Sequence, residues 1–279
     1  MCLLALIAFT AVAQNGDFHL DKEFNIRNGG TIDLATSDGK VFITGSKRKN
    51  VHVKIDRKVT MKGWGSSSEN FRVDVEETSG DLRIREQQSR TEIAIGYYKE
   101  EYRIEIEAPE GVSLTIRGDD GDYYIKNVNG SISANTDDAD VELSDCKGDK
   151  FSFRLDDGDL RMDTGKGSLD IDIDDADVNI RNGQFTSIHA ESDDGDLIIE
   201  TSLSNQGEYM FRSQDGLVSL NITGGGGDFD IHHDDGHVQT QGDFKLSYES
   251  ENRTRLSLAN GSAKVTVRGD DARVRLAAN

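Results

Sequence analysis

Phe151-Ser152-Phe153-Arg154-Leu155-Asp156-Asp157-Gly158-Asp159-Leu160-Arg161-Met162 holds the pattern on which the fold turns. Apolar and polar residues alternate up to Leu155, an acidic quartet interrupts them, and the alternation resumes at Leu160. A period of two is the signature of a strand. The segment therefore reads as strand, tight acidic turn, strand. The quartet recurs upstream as Asp119-Asp120-Gly121-Asp122 and Asp137-Asp138-Ala139-Asp140. Downstream it returns as Asp174-Asp175-Ala176-Asp177 and Asp193-Asp194-Gly195-Asp196. Weaker copies follow at Gln214-Asp215-Gly216-Leu217, Asp234-Asp235-Gly236-His237 and Asp270-Asp271-Ala272-Arg273. Ser37-Asp38-Gly39-Lys40 and Ser79-Gly80-Asp81-Leu82 read as degenerate early copies.

The Gly or Ala positions 121, 139, 158, 176, 195, 216 and 236 lie 18, 19, 18, 19, 21 and 20 residues apart. Such a repeat means stacked supersecondary units. Gly-containing turns such as Lys147-Gly148, Gly165-Lys166-Gly167 and Asn182-Gly183 fall between the quartets. The expected fold is all-β, a single elongated parallel β-solenoid of about 18–20 residues per repeat, with coils about 4.8 Å apart. Gly and Ala alternate along the quartets, which also admits a coil of about 37 residues with an acidic turn at each end. No stretch carries a helical period.

The chain has 279 residues and a net charge of −20. At that charge it repels nucleic acid and anionic headgroups. Residues 3–13 form an apolar run of signal-peptide length ending in Ala11-Val12-Ala13, although no basic residue precedes it. A short N-terminal strand is the competing reading. The expected organisation is a signal peptide over 1–13 and one domain over 14–279. Within that domain, 20–117 holds irregular coils with insertions and 118–279 the regular repeats. No later segment is apolar enough to span a membrane. The expected location is the periplasm, the outer surface or the medium. Cys146 would be the one thiol left after cleavage and reads as structural.

Tyr102-Arg-Ile-Glu-Ile-Glu-Ala-Pro-Glu-Gly-Val-Ser-Leu-Thr-Ile116 leads into Gly121-Asp122-Tyr-Tyr-Ile-Lys-Asn-Val-Asn-Gly130. Together with Gly30-Thr-Ile-Asp-Leu-Ala-Thr-Ser-Asp-Gly39, this resembles the bacterial "putative adhesin" family of domains of unknown function. The resemblance spans about Phe24 to Leu276. It implies a β-helix of the envelope or beyond, and it implies no catalytic residues.

Residues 117–200 hold 23 acidic and 8 basic side chains. Stacking would bring equivalent carboxylates about 5 Å apart, at roughly 1 kcal/mol or more per contact. Turn capping by Asp offsets this in the first reading. In the second, Ca²⁺ bridges the rows. Its ligands would come from Asp119, Asp120, Asp122, Asp137, Asp138, Asp140, Asp156, Asp157, Asp159, Asp174, Asp175, Asp177, Asp193, Asp194 and Asp196. No other cofactor is expected. His232-His233-Asp234-Asp235-Gly236-His237 reads as a variant turn, because adjacent strand residues face opposite ways. Gly224–Gly227 reads as a loose loop.

Insertions around Trp64 and over 86–100, with Tyr97 and Tyr98, are the candidate binding loops. The function expected is a non-catalytic exported binding or scaffold protein, with an envelope or surface protein or a glycan as partner. The alternative is a polysaccharide-active β-helix enzyme using the acidic face. Val274-Arg275-Leu276-Ala277-Ala278 reads as an open edge through which a weak homodimer would form.

Overall fold

The structure is a computed structural model that describes residues 7–12, 17–234 and 237–278. The regular elements among them are all strands, paired both parallel and antiparallel. The chain divides into two compact units, Met1–Gly130 and Ser131–Asn279.

The first unit contains β1 (Ile7–Val12), β2 (Phe18–Asn25), β3 (Thr31–Thr36), β4 (Lys40–Ser46), β5 (Asn50–Thr78), β6 (Asp81–Pro109), β7 (Ser113–Gly118) and β8 (Asp122–Lys126). β3 lies parallel to both β6 and β7, and β4 parallel to both β6 and β8. Alternation sets the inward rows. Ile32 aligns with Leu82 and Leu114, Val41 with Ile104 and Tyr123, and all six are buried. Burying one such side chain contributes roughly 1.5–3 kcal/mol.

β5 and β6 form one antiparallel hairpin throughout their length. Ser79 (φ 56°) and Gly80 (φ 84°) close it. Two left-handed residues in a two-residue loop match the right-handed twist of the flanking strands. Ser79-Gly80-Asp81-Leu82 is therefore a hairpin turn, and its reading as a degenerate acidic corner is corrected. Ser37-Asp38-Gly39 is such a corner. It joins β3 to β4, and Ser37 O accepts from Asp120 N at 2.9 Å.

The hairpin rejoins the unit at both ends. Residues 50–57 pair with β2 and 103–109 with β4, while 72–77 pair with β1 and 82–85 with β3. Between these ends, residues 58–71 and 88–101 pair with each other and, among the described residues, with no other strand. The expected loop insertions are thus the two strands of one ribbon. Gly, Ser and Gln disguise it, because they lack strand propensity. β1 falls on residues of the expected signal peptide.

The second unit contains β9 (Ile132–Asp138), β10 (Val141–Ser144), β11 (Lys150–Asp157), β12 (Leu160–Ile173), β13 (Val178–Ser192), β14 (Leu197–Ser202), β15 (Glu208–Ser213), β16 (Leu217–Gly224), β17 (Gly227–His233), β18 (Val238–Gln241), β19 (Lys245–Ser250), β20 (Arg253–Leu258), β21 (Ala263–Gly269) and β22 (Arg273–Ala278). One parallel ladder runs through β9, β11, the second halves of β12 and β13, β15, β21 and β17. The other runs through β10, the first halves of β12 and β13, then β14, β16, β22 and β18.

Ile132, Phe151, Leu169, Ile188 and Tyr209 align in register, 19, 18, 19 and 21 residues apart. A coil in this unit is therefore about 19 residues. Phe151 meets Phe185 edge-on at 6.3 Å between the ladders. Chain order then breaks. The last coil, β21 and β22, lies between β15–β16 and β17–β18. The C-terminal strand is flanked on both sides, which corrects its reading as an open edge. Pairing is not parallel throughout either, since β20 continues the first ladder antiparallel to β17, and β19 antiparallel to β20.

Candidate functional site

In the second unit the fourth Asp of each quartet has a defined structural task. Its Oδ1 accepts a backbone N–H from the following coil. Asp140 accepts from Asp159 N at 2.9 Å, Asp159 from Asp177 N at 3.3 Å, Asp177 from Asp196 N at 2.9 Å, and Asp196 from Leu217 N at 2.9 Å. The cap thus reaches from coil to coil rather than closing its own turn. Arg161 bridges Asp140 and Asp159 across one step.

The first two acids of each quartet, at 137–138, 156–157, 174–175 and 193–194, are exposed. Their backbones stack around the corner, as in Asp175 N to Asp156 O at 3.0 Å and Asp194 N to Asp174 O at 3.1 Å. Asp174 shows the consequence. Lost solvation and then Asp156 and Asp193 raise its carboxyl above the usual range. Among the described residues, no three His, Cys, Asp or Glu side chains converge as a metal centre requires.

A second latch works from inside the corner. Ser192 Oγ donates to Gly195 O at 2.9 Å and accepts from Gly195 N at 3.1 Å. The Ser213 hydroxyl likewise donates to the Asp215 carbonyl of its own turn. The signal was legible as a Ser or Thr at the inward position before the acids, and the sequence reading passed over it.

In the first unit, Asp122 pairs with Lys40 at 3.1 Å. Burial, then Asp120, Glu100, Glu86 and Asp119, raise the Asp38 carboxyl. Glu86, at the root of the ribbon, accepts from Thr36 Oγ1 at 2.6 Å and from Ser37 Oγ at 2.5 Å. Arg57 is buried, pairs with Glu100 and lies 4.3 Å from the centre of the Phe71 ring. Its charge is thereby compensated both electrostatically and by the ring face. Tyr123 buries a hydroxyl that has no hydrogen-bond partner among the described residues, and burial raises both the Tyr102 and the Tyr123 phenol. An open cleft of about 1390 Å³ lies at this ribbon root, lined among others by Asp38, Lys40, Asp120 and Tyr102.

The ribbon gathers the binding-loop candidates by register. Trp64 stands opposite Ile95, Lys62 opposite Tyr97, Met61 opposite Tyr98, and Gly63 opposite Gly96. Tyr97 is 58% exposed. The side chains of Trp64 and Tyr98 lie outside the described residues.

The remaining candidates have structural places. His232 is 3.4 Å from Asp230, whereas His233 faces Thr254 Oγ1 at 3.4 Å, so the two diverge as alternation requires. Asp235 and Gly236 lie outside the described residues. Cys146 is buried, with Sγ 3.4 Å from Ser144 O. The glycine run is a packed crossing rather than a loose loop. A methyl on Gly225, Gly226 or Gly227 would come within about 2 Å of the Leu203, Ala259 or Ala263 carbonyl oxygen. Glycine is what allows the returning chain to approach so closely.

Two solved structures are similar to this chain. A "putative cell adhesion protein" from Clostridium sporogenes is 13% identical, over 94% of this chain and 100% of that one, with a TM-score of 0.28. A "putative adhesin" from Bacteroides fragilis is 11% identical, over 93% and 97%, with a TM-score of 0.43. No curated protein matches. The profile of one domain family of unknown function spans residues 30–276, nearly the stretch that the Gly-Asp turns and Pro109 strands had marked out. The chain belongs to the Toastrack DUF4097 family.

Proposed function

We propose that this chain is an exported, non-catalytic binding module of the cell envelope or outer surface, and that the ribbon formed by residues 58–71 and 88–101 is its contact element. One observation carries the reading. The ribbon pairs with no other strand among the described residues, yet its root is fixed by Glu86 and by the buried Arg57–Glu100 pair. A two-stranded ribbon is marginal by itself in water. One held at both ends, with Tyr97 exposed and Trp64 and Tyr98 near the facing glycines, suits recognition of a protein or glycan surface. The fourth-position carboxylates are engaged by backbone donors, which supports a scaffold role for the acidic repeats.

The test is binding of the purified chain to a glycan array and to intact bacterial cells. A variant carrying Trp64→Ser and Tyr97→Ser, which leaves the strand segments 72–77 and 82–85 in place, is compared with it. Binding by the parent and loss by the variant, with the parent's melting temperature retained, is the expected result. Equal binding by both would overturn the role of the ribbon. Release of soluble sugar by the parent would instead favour a polysaccharide-active enzyme working in the cleft beside Asp38.

Calcium belongs to this reading as a stabiliser of the exposed Asp rows. Bridging of those rows would raise the melting temperature in Ca²⁺ above that in Mg²⁺ at matched ionic strength. Equal melting in Ca²⁺, Mg²⁺ and EDTA would leave the rows as structure alone.

A further inference from the structure

The two ladders of the second unit end unevenly. β17 and β18 belong to the same coil. Among the described strands, the first ladder continues beyond β17 with β20 and then β19, whereas beyond β22 the second ladder has only β18. One face thus overhangs the other by two strands. The overhang carries exposed apolar surface, with Leu246 56% and Tyr248 49% exposed, both on β19. Leu246 is aligned with the buried Leu256, so it stands on the core side of the sheet without cover.

We infer that this end is an interface with a second copy of the chain, in which β19 of each copy adds to β18 of the other. The geometry is self-complementary. A two-fold axis parallel to the strands exchanges the two faces, so the overhang of each copy fills the deficit of its mate. β19 runs in the same direction as β17, after two antiparallel steps, and β18 is the return strand of that coil. The new pairing is therefore antiparallel. It occurs twice, and the joint closes as an isologous dimer.

Charge favours the same end. In a chain of net charge −20, β18 is Val238-Gln239-Thr240-Gln241 with no charge, and β19 carries only Lys245 and Glu249. By contrast β2, which pairs only with β5 among the described strands, holds Asp21, Lys22 and Glu23. Charges of that kind protect an edge from another chain. β18 has no such protection.

Light scattering after size exclusion, over a concentration series, should give the mass of two chains for the parent. Leu246→Asp should give one. Its side chain is already more than half exposed, so melting of the monomeric unit should persist. Cross-linking then assigns the edges. In a Cys2→Ser background, Gln239→Cys and Tyr248→Cys are oxidised separately and after mixing. Disulfide dimers only in the mixture support the joint. A monomeric parent at all concentrations, a dimeric Leu246→Asp variant, or dimers from Tyr248→Cys alone would overturn it.

Discussion

Asp177 shows how one side chain does two opposed things. Its Oδ1 accepts from Asp196 N, which stabilises the stacking of successive coils. Its charge stands in a row with Asp159 and Asp196, which destabilises that stacking. Substitution can separate the two effects. Asp177→Ala removes acceptor and charge together, while Asp177→Asn keeps an oxygen acceptor and sheds the charge. A lost hydrogen bond at a partly exposed amide costs about 1 kcal/mol. Asp177→Ala should therefore melt about 2–4 °C lower, and Asp177→Asn at or above the parent. If both variants fall equally in thermal melts, the charge itself is needed and the capping account fails. Gly195 makes a related point about backbone. A methyl there would sit 1.7 Å from Ala176 O, while the methyls of Ala139 and Ala176 are themselves buried. The alternation of Gly and Ala is a packing rule between adjacent turns, not evidence of a coil of double length.

At the scale of elements, period-two patterning identified most of the regular strands. Phe151, Phe153 and Leu155 read as one inward row and are one. The acidic corners were legible for the same reason, since a turn between two such rows must fall at the break in alternation. Three features were hidden, each for a physical reason. The ribbon was hidden because Gly63, Ser66–Ser68, Gln87 and Gln88 have no strand preference, and only pairing with one another makes them strands. The insertion of β21 and β22 was hidden because local patterning carries no information on which coil stacks on which. The distance between the Ala272 copy and its predecessor, 36 residues from Gly236, accommodates the antiparallel β19–β20 excursion. Arg57 was hidden because a single basic residue in an alternating strand looks exposed until Glu100 and Phe71 enclose it. Of the candidate site, the acids were found by composition, but their task depends on a partner one coil away.

For the whole chain, the pH dependence of stability follows from two opposing sets of carboxyls. Asp38 and Asp174 are raised, the first by burial and then Asp120, the second by lost solvation and then Asp156. A raised carboxyl binds its proton more readily in the folded than in the unfolded chain. Acidification through the folded value therefore stabilises, and the gain is complete below the unfolded value. Asp21 and Asp230 are lowered, chiefly by hydrogen bonds from His52 and Arg253. Their stabilisation is complete above the ordinary carboxylate range and is lost as pH falls through their folded values. The melting temperature should rise on going from neutral pH toward the ordinary carboxylate range, and then drop below it. Salt should mimic the first limb, since it screens the exposed rows, and should do little for the Arg253–Asp230 pair at 2.5 Å. Asp174→Asn separates these sources. It removes one member of the raised set, so it should raise stability at neutral pH and flatten the acid-side rise while leaving the final fall in place. A melting profile that declines steadily from neutral pH in the parent, or an Asp174→Asn profile parallel to it, would show that the acidic corner carries no electrostatic strain.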